Sequence, residues 1–547
     1  MPIESSITST ATHYESEVLD HLGLVAGMVD ELGLVERTDQ LLPKSADLQK
    51  VSNGQALKAM IINGLGFTQR ALYLTPEFFR NKPVARLIGV GVEAAHLNDD
   101  LLGRVLDSIE AYGVDQFYSQ LSVLAVKRLG LDCRQGHLDS STFHVDGQYN
   151  SDHPPGEDSS VIHITKGYSR DHRSDLNQLT LQLICEGAAG IPVLMKPLSG
   201  NSEDKTDFRA TVKQHIDQLR DEVGLQYLVA DSALYTAETL PQLAGVNWIT
   251  RVPESIKAAK TAIHAHAADL MKHPDTLSMQ AITSDYADIP QRWVVVYSPE
   301  ARQRALKTLN RQVLKQSEQE YRRFKALCQE TFACQSDAEQ ALLKWQKQQK
   351  ATRLSECTFS LEPRFKQPGR PAAGAQPDYY VVRINALIAT DWQYYQQRLE
   401  RKSCFILASN VQDQDALTNE ALLAQYKAQQ QVEGGFRFLK DPQFMAATLF
   451  LKSVKRMMAL TAVMTLCLLV YAALQYRIRQ ALAAREQTFP NQLGKPGSNP
   501  TARWVFQCFA GIHVLSINQT QQLVLNLSNQ HRQIITLLGF EYEKIYS

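Results

Sequence analysis

The chain has 547 residues, 44% of them hydrophobic, enough for two or three domains and a large core, which excludes global disorder. Lysine plus arginine balance aspartate plus glutamate at 57 each, so no overall basic charge marks a nucleic-acid binder and any such surface must be local. Eight scattered cysteines without a CxxC pair, behind a start (MPIESSITST) that is no secretion signal, exclude a disulfide scaffold and point to reduced thiols in the cytosol.

In YESEVLDHLGLVAGMVDELGLV and ALKAMIINGLGF the apolar residues recur at helical spacing, and residues 14–135 read as helical throughout. Ser52 and Asn53 predict a cap for a helix over 55–65, and Asn98 with Asp99 a cap for LLGRVLDSIEAYG. These elements predict a separate all-α N-terminal domain, residues 1–135, for DNA binding or dimerisation. Arg104 on such a capped helix suits a recognition helix and equally a plain bundle.

From residue 136 the period changes. HLDSSTFHV, SVIHITKGY and QLTLQLICEG are strand candidates, with IPVLMKPL continuing the last. A helix over 206–223 carries Phe208, Val212, Ile216 and Leu219 on one side. It leads to the strand LQYLVAD, a helix starting near Thr236, and the strand NWITRV. Asp139 stands inside the first of these strands and Asp231 ends LQYLVAD. A carboxylate within a strand costs stability unless something charged sits against it.

Residues 251–402 interrupt this alternation. Residues 301–332 form a long charged helical pattern with Leu306, Leu309, Val313, Tyr321, Phe324 and Leu327 as its seam, and Ser336 with Asp337 predicts the cap of a second helix to Lys350. The pair predicts a helical hairpin whose charge is either a solvated face or a contact with DNA or a second subunit. QRWVVVYS and YYVVRINALIA predict a small sheet of its own. The loop RFKQPGRP contains Gly369-Arg370-Pro371, similar to a minor-groove hook, which makes Arg370 a DNA-contact candidate beside the plain-loop reading. His264 and His266, two apart on a helix, face different ways and predict no zinc site.

CFILASN resumes the sheet at the start of a second core segment, 403–485. There YKAQQQVEGGFRFLK carries Glu433, with Tyr426 and Lys440 each seven residues away, so one continuous helix would put all three on one face. Lys427, Arg437, Lys440, Lys452, Lys455 and Arg456 make this the local basic stretch. The uncharged run 457–474 is long enough for a membrane span, but Thr461, Thr465 and its alanines, so close behind Glu433, predict a helix buried in the protein instead. Residues 486–547 are a linker, FPNQLGKPGSNP, and a C-terminal element with Trp504, Phe506 and Phe509 that packs on the core or on a second subunit.

Asp139, Asp231 and Glu433, on two strand ends and a helix, are the candidate catalytic and metal-binding set. Three carboxylates in that arrangement can hold two divalent cations about 4 Å apart, the device used to cleave and join phosphodiesters. Asp139 would bridge the two, Asp231 complete one site and Glu433 the other. An all-oxygen site suits Mg2+, with Mn2+ as its substitute.

Tyr426, Glu433 and Lys440 also resemble three of the four positions of the Tyr-x2-Arg-x3-Glu-x6-Lys signature of the insertion-sequence-four superfamily of DDE transposases; the fourth, Arg in that signature, is Gln429 here. GYSRDHRSDLNQ (167–178) is similar to that family's GxSxDxRxDxxQ stretch, and GIPVLMKPLSGNSED (190–204) to its GxPxxxxxxxGNxxD run, in the same order. The resemblance implies an α/β fold: a ribonuclease H-like mixed sheet with Asp139 on its first strand and Asp231 at the end of its fourth, interrupted by an α+β insertion. It implies metal-dependent cleavage at element ends and strand transfer into target DNA. Tyr426, Gln429, Arg437, Lys440 and Arg370 are then the DNA-contact candidates, and double-stranded DNA, as terminal inverted repeats and target, is the partner. A homodimer or higher oligomer on DNA, no membrane, and the bacterial cytoplasm at the nucleoid complete the expectation. A ribonuclease H-like nuclease that cuts without joining, and a non-catalytic DNA-binding protein derived from a transposase, are the alternatives.

Overall fold

The computed structural model describes residues 13–43, 50–67, 72–145, 149, 161–169, 171, 173–202, 204–243, 245–370, 374–444, 451–518 and 521–547. The turn expected at Gly147, Arg170 and His172 of GYSRDHRSDLNQ, Glu203, Pro371 and the side chain of Val212 lie outside them. The chain divides into two compact units, one running to Thr250 and resuming at Glu420–Ser547, the other Arg251–Asn419.

The first unit is built on a mixed sheet. Its strands are β1 (Gln135–Val145), β2 (Asn177–Glu186), β3 (Pro192–Ser199), β4 (Tyr227–Ala230) and β5 (Asn247–Arg251), in the order β3-β2-β1-β4-β5. β1 to β3 are antiparallel neighbours, while β4 runs parallel to β1 and β5 parallel to β4. Three antiparallel strands followed by two parallel ones, joined through the helix Asp204–Val223, make the ribonuclease H-like sheet that the sequence implied. SVIHITKGY is not one of the strands. Its only pairing among the described residues is a bridge from Thr165 to Gln178, and IPVLMKPL is a separate hairpin strand rather than a continuation. The helix expected near Thr236 is reduced to a 3-10 turn, Leu240–Leu243.

Both faces of β1 are covered, which is why it reads as a nearly continuous buried run. On the odd-numbered face, Phe143, Val145, Leu179, Leu181, Leu183 and Met195 share one apolar cluster with Val432 and Phe436 and with the long helix Val454–Ala484. That helix is buried all round from Met457 to Val470, as its uniform composition requires. Thr461 and Thr465 satisfy their hydroxyls inside it, donating to Met458 O (2.6 Å) and Thr461 O (2.7 Å).

The helices Leu22–Glu31, Asn53–Leu65, Asp99–Tyr112, Val114–Leu129 and Asn529–Leu538 pack around it. The N-terminal helices are therefore no separate domain but part of the same core, since an apolar helix of this length needs neighbours on every side. Ser52 and Asn98 cap as expected, Ser52 in a reciprocal capping box with Gln55 and Asn98 accepting from the Leu101 N–H. Tyr14–Val18, expected helical, is instead a strand paired with His513–Ile517, which pairs in turn with Gln521–Leu525. The C-terminal aromatics face inward: Phe506 and Phe509 belong to the core cluster, and the Trp504 indole donates to Pro490 O at 2.7 Å.

The second unit pairs Cys404–Ser409 (CFILASN) with Gln291–Tyr297 and the latter with Ser278–Ser284. The hairpin helices are Pro299–Gln329, capped by Ser298, and Gln335–Gln346. The second begins one residue before the expected cap, so Asp337 lies in its first turn, where its charge complements the helix dipole. Thr352–Arg364 and Tyr379–Thr390 form a two-stranded ribbon beside them. Glu320, 1% exposed, joins the long helix to this ribbon, accepting from Lys350 N, Ala351 N and the Thr352 hydroxyl.

Candidate functional site

β1 and β4 are parallel neighbours with Leu138 opposite Ala230. Asp139 is the next residue along β1, and Asp231 is the first residue after the end of β4, so both acids follow the last paired positions at the same end of two parallel neighbours. Asp139 is buried, and its Oδ1 accepts from the Ser140 N–H at 2.8 Å. Asp231 is half-buried at the mouth of the turn after β4. Its Oδ1 accepts from the Ala233 N–H (2.9 Å), and the Thr250 hydroxyl of β5 donates to its carbonyl (2.7 Å). The β-strand therefore ends where the second carboxylate begins, fixed from the next strand.

Glu433 lies on the helix Gln430–Leu439, and two contacts fix how that helix lies on the sheet. Gln431 packs on Gly190, in the β2–β3 turn, where an added Cβ would stand 3.4 Å from Gln431 Cβ. That turn is at the Gly136 end of β1, because Gly136 pairs with Glu186. At the other end Lys440 Nζ lies over the Phe143 ring, 5.8 Å from its centroid. The helix thus runs along β1 in the same direction. Glu433 lies on the stretch of helix between these two contacts, along β1. Phe143 and Asp139 share a strand face, and Glu433 and Lys440 are two helical turns apart; Val432 and Phe436 of this helix enter the core cluster with Phe143, and Glu433 is exposed.

Asp139 and Asp231 lie at the same end of neighbouring strands and Glu433 on the helix that runs along β1, and the three are not closed into a ligand cage. Among the described residues no three His, Cys, Asp or Glu side chains converge as a metal site. Asp139 is buried, Asp231 half-buried and Glu433 exposed. The donor set itself, carboxylate oxygens only, suits a hard divalent cation. His137, on the same face two residues before Asp139, is wholly buried, and burial pushes its imidazole down to about 4, so it is neutral at pH 7 and brings no competing positive charge.

The expected single helix from Tyr426 to Lys440 is broken. Asn419–Lys427 ends before Ala428, and Gln430–Leu439 begins after Gln429, with the Gln429, Gln431 and Val432 N–H groups bonding three residues back, to Tyr426, Ala428 and Gln429 O. The chain continues smoothly through Gly434 and Gly435, and the tightened turn at 428–429 separates Tyr426 from the helix that carries Glu433. Gln429, which stands at the Arg position of the signature, is buried, while Arg437 is exposed one turn beyond Glu433. Arg370 is exposed at the tip of the ribbon in the second unit, beside Gly369 with φ 125°.

The structure adds residues that composition and spacing did not single out. Gly167 and Gly200 lie against each other's segments: a Cβ on Gly167 would stand 2.1 Å from Gly200 O, and one on Gly200 2.0 Å from Gln178 O. The GxSxDxRxDxxQ-like and GxPxxxxxxxGNxxD-like stretches therefore interlock, a close approach only glycine permits. Asp171 reaches Lys440, Nζ to Oδ2 at 2.7 Å. The marked positions of the two stretches carried the signal, but not the pairing.

A family model described as a transposase DDE domain matches residues 136–470, and a domain family of unknown function (DUF4277) matches residues 14–123. Among curated proteins nothing matches the chain in sequence. Among solved structures it is similar to a piggyBac transposase in a synaptic complex with hairpin DNA, at 8% identity and a TM-score of 0.35, covering 91% of this chain and 82% of that one. The DDE-domain match spans more than half of the chain and includes Asp139, Asp231 and Glu433, and the protein belongs to the family of DDE-domain DNA transposases.

Proposed function

We propose that Asp139, Asp231 and Glu433 carry the transposase's chemistry, cleavage at the ends of its element followed by joining to target DNA, and that the chain is of the insertion-sequence-four type. The observation that supports this is the register of β1 on β4, which ends with Asp139 and Asp231 as the next residues of two parallel neighbours, with the Glu433 helix running along β1. Asp139 and Asp231 supply fixed oxygen donors, and Glu433 closes on them from the helix. DDE transposases work with divalent metals, and for this donor set we propose two Mg2+ ions, which would activate the attacking water or 3′-hydroxyl and stabilise the departing oxygen. Lys440 and Arg437 meet phosphates beside the scissile bond. The eight cysteines are free thiols, in keeping with action in the cytoplasm at the nucleoid.

Lys440→Ala is expected to weaken binding to DNA of any sequence by a similar factor and to lower the slope of log K against log salt by about one. Binding measured over a salt series checks this; a loss confined to one sequence would mean that Lys440 reads bases. Gln429→Arg, which restores the signature, is expected to leave binding unchanged or tighten it.

The active form is expected to be a dimer or higher oligomer on DNA, since two element ends must be cut and one chain carries one set of carboxylates. Leu314 and Tyr321, seven residues apart on the helix Pro299–Gln329 and 69% and 50% exposed, offer the hairpin as a contact. Mass determination with and without a duplex spanning the borders of the encoding gene is the test. A monomer on each DNA end, under conditions where cleavage proceeds, would favour a nuclease that does not join.

A further inference from the structure

The described residues of GYSRDHRSDLNQ hold one another and the end of β3. Gln178 Nε2 donates to Gly200 O at 2.7 Å and to Tyr168 O at 3.1 Å, anchoring the loop to the end of β3. Ser169 Oγ accepts from the Asp171 N–H (3.2 Å) and the Arg173 N–H (3.0 Å), which closes a tight turn around Asp171. Arg173 and Asp175 form a two-bond ion pair at 2.9 Å each. The carboxylate of Asp171 turns away from this set and crosses to the helix that carries Glu433. Its Oδ2 accepts from Lys440 Nζ at 2.7 Å, and His144 Nε2, at the end of β1, lies 3.6 Å from the same oxygen. His144 Nε2 is in turn 3.2 Å from Ser169 Oγ, so strand, loop and helix meet at one carboxylate.

A lysine on a helix end is ordinarily a mobile charge, with four rotatable bonds and a strongly hydrated head. Lys440 is not: its ammonium lies over the Phe143 ring, 5.8 Å from the centroid, and is paired with the carboxylate of Asp171. An ammonium has three donors and no acceptor, so one bond to Asp171 leaves two for another acceptor.

We propose that Asp171 is a positioning residue for transposition, holding the Lys440 ammonium at the Phe143 end of the β1 face so that it meets the DNA phosphate next to the scissile bond already oriented. This rests on the reading that Lys440 contacts the DNA backbone. Ordering the side chain in advance removes that cost from the step in which DNA is aligned for reaction.

Positioning and simple electrostatics give opposite signs. Asp171 is an acid next to a DNA-facing lysine, so if charge were all that mattered, Asp171→Ala would bind DNA more tightly and cleave no more slowly. Positioning requires Asp171→Ala to bind a border-spanning duplex at least as tightly as wild type in metal-free buffer, yet to cleave it about ten-fold more slowly in single-turnover reactions with Mg2+. Asp171→Asn, which keeps an oxygen acceptor for Lys440, recovers most of the rate. In a Lys440→Ala background Asp171→Ala has no further effect, because its only route to the reaction has gone. Wild-type cleavage by Asp171→Ala, or a double variant clearly slower than Lys440→Ala alone, overturns the inference while leaving the Lys440 contact standing. Wild-type binding and cleavage by Lys440→Ala removes that contact and the inference with it.

Discussion

Asp139→Asn, Asp231→Asn and Glu433→Gln should each lower end cleavage by at least about a hundred-fold, because each removes a charge needed to hold a divalent cation. The protein itself should barely register the change. Asn at 139 keeps a carbonyl oxygen for the Ser140 N–H, and Asn at 231 keeps one for the Ala233 N–H, both bonds that fix the strand ends. Glu433 is exposed, and glutamine has its volume and helix propensity. Near-UV circular dichroism and metal-free DNA binding should therefore match wild type while single-turnover cleavage with Mg2+ falls to background. Cleavage within a few-fold of wild type in any one variant would remove that residue from the site. If Glu433→Gln alone stayed active, the helix would be a DNA contact and the third ligand would have to come from elsewhere on the face.

What could be read in the sequence was whatever has a local signature. The aspartates stood out because a carboxylate inside an apolar strand pattern is anomalous, and the strand order followed from the change of period at residue 136. Ser52 and Asn98 cap their helices through contacts within three residues, so spacing found them. The failures are non-local. Tyr14–Val18 is a strand because it pairs with His513–Ile517 from the far end of the chain; its short run YESEV merged into the helical pattern behind it. SVIHITKGY has strand composition, but Gly167 must approach Gly200 too closely for a regular ladder. The break at Ala428 and Gln429 falls in a run of glutamines, all good helix formers, so no propensity announces it. Asp171 was visible as a marked position of a family-like stretch. Its partner is 269 residues away, and no spacing rule connects them.

The run 457–474 was readable as apolar but not as buried, and its surroundings decide between the two readings. The helix Val454–Ala484 has a window of mean hydropathy 2.2, sufficient to cross a bilayer, and 94% of that window is buried inside the protein. Leu469 is 0% exposed in this core, which also holds Val432 and Phe436 of the Glu433 helix. Leu469→Ala should therefore cost about 2–5 kcal/mol, the transfer free energy of the lost atoms plus the cavity they leave. Leu469→Asp should cost more, because a carboxylate without a partner would be buried, and a marginally stable protein should then fail to accumulate in folded form. Gln480→Asp, at an exposed position on the same helix, should change stability by no more than about 0.5 kcal/mol. Urea denaturation of wild type, Leu469→Ala and Gln480→Asp, with the detergent-free soluble yield of Leu469→Asp, measures all of this. The loss should also carry into function, because the helix bearing Glu433 packs on this one; residual folded Leu469→Ala should cleave DNA more slowly than its folded fraction alone accounts for. Unchanged denaturation of Leu469→Ala together with normal soluble yield of Leu469→Asp would mean that this side chain does not lie in the core, and a wild-type protein that leaves the membrane fraction only in detergent would return the helix to the bilayer.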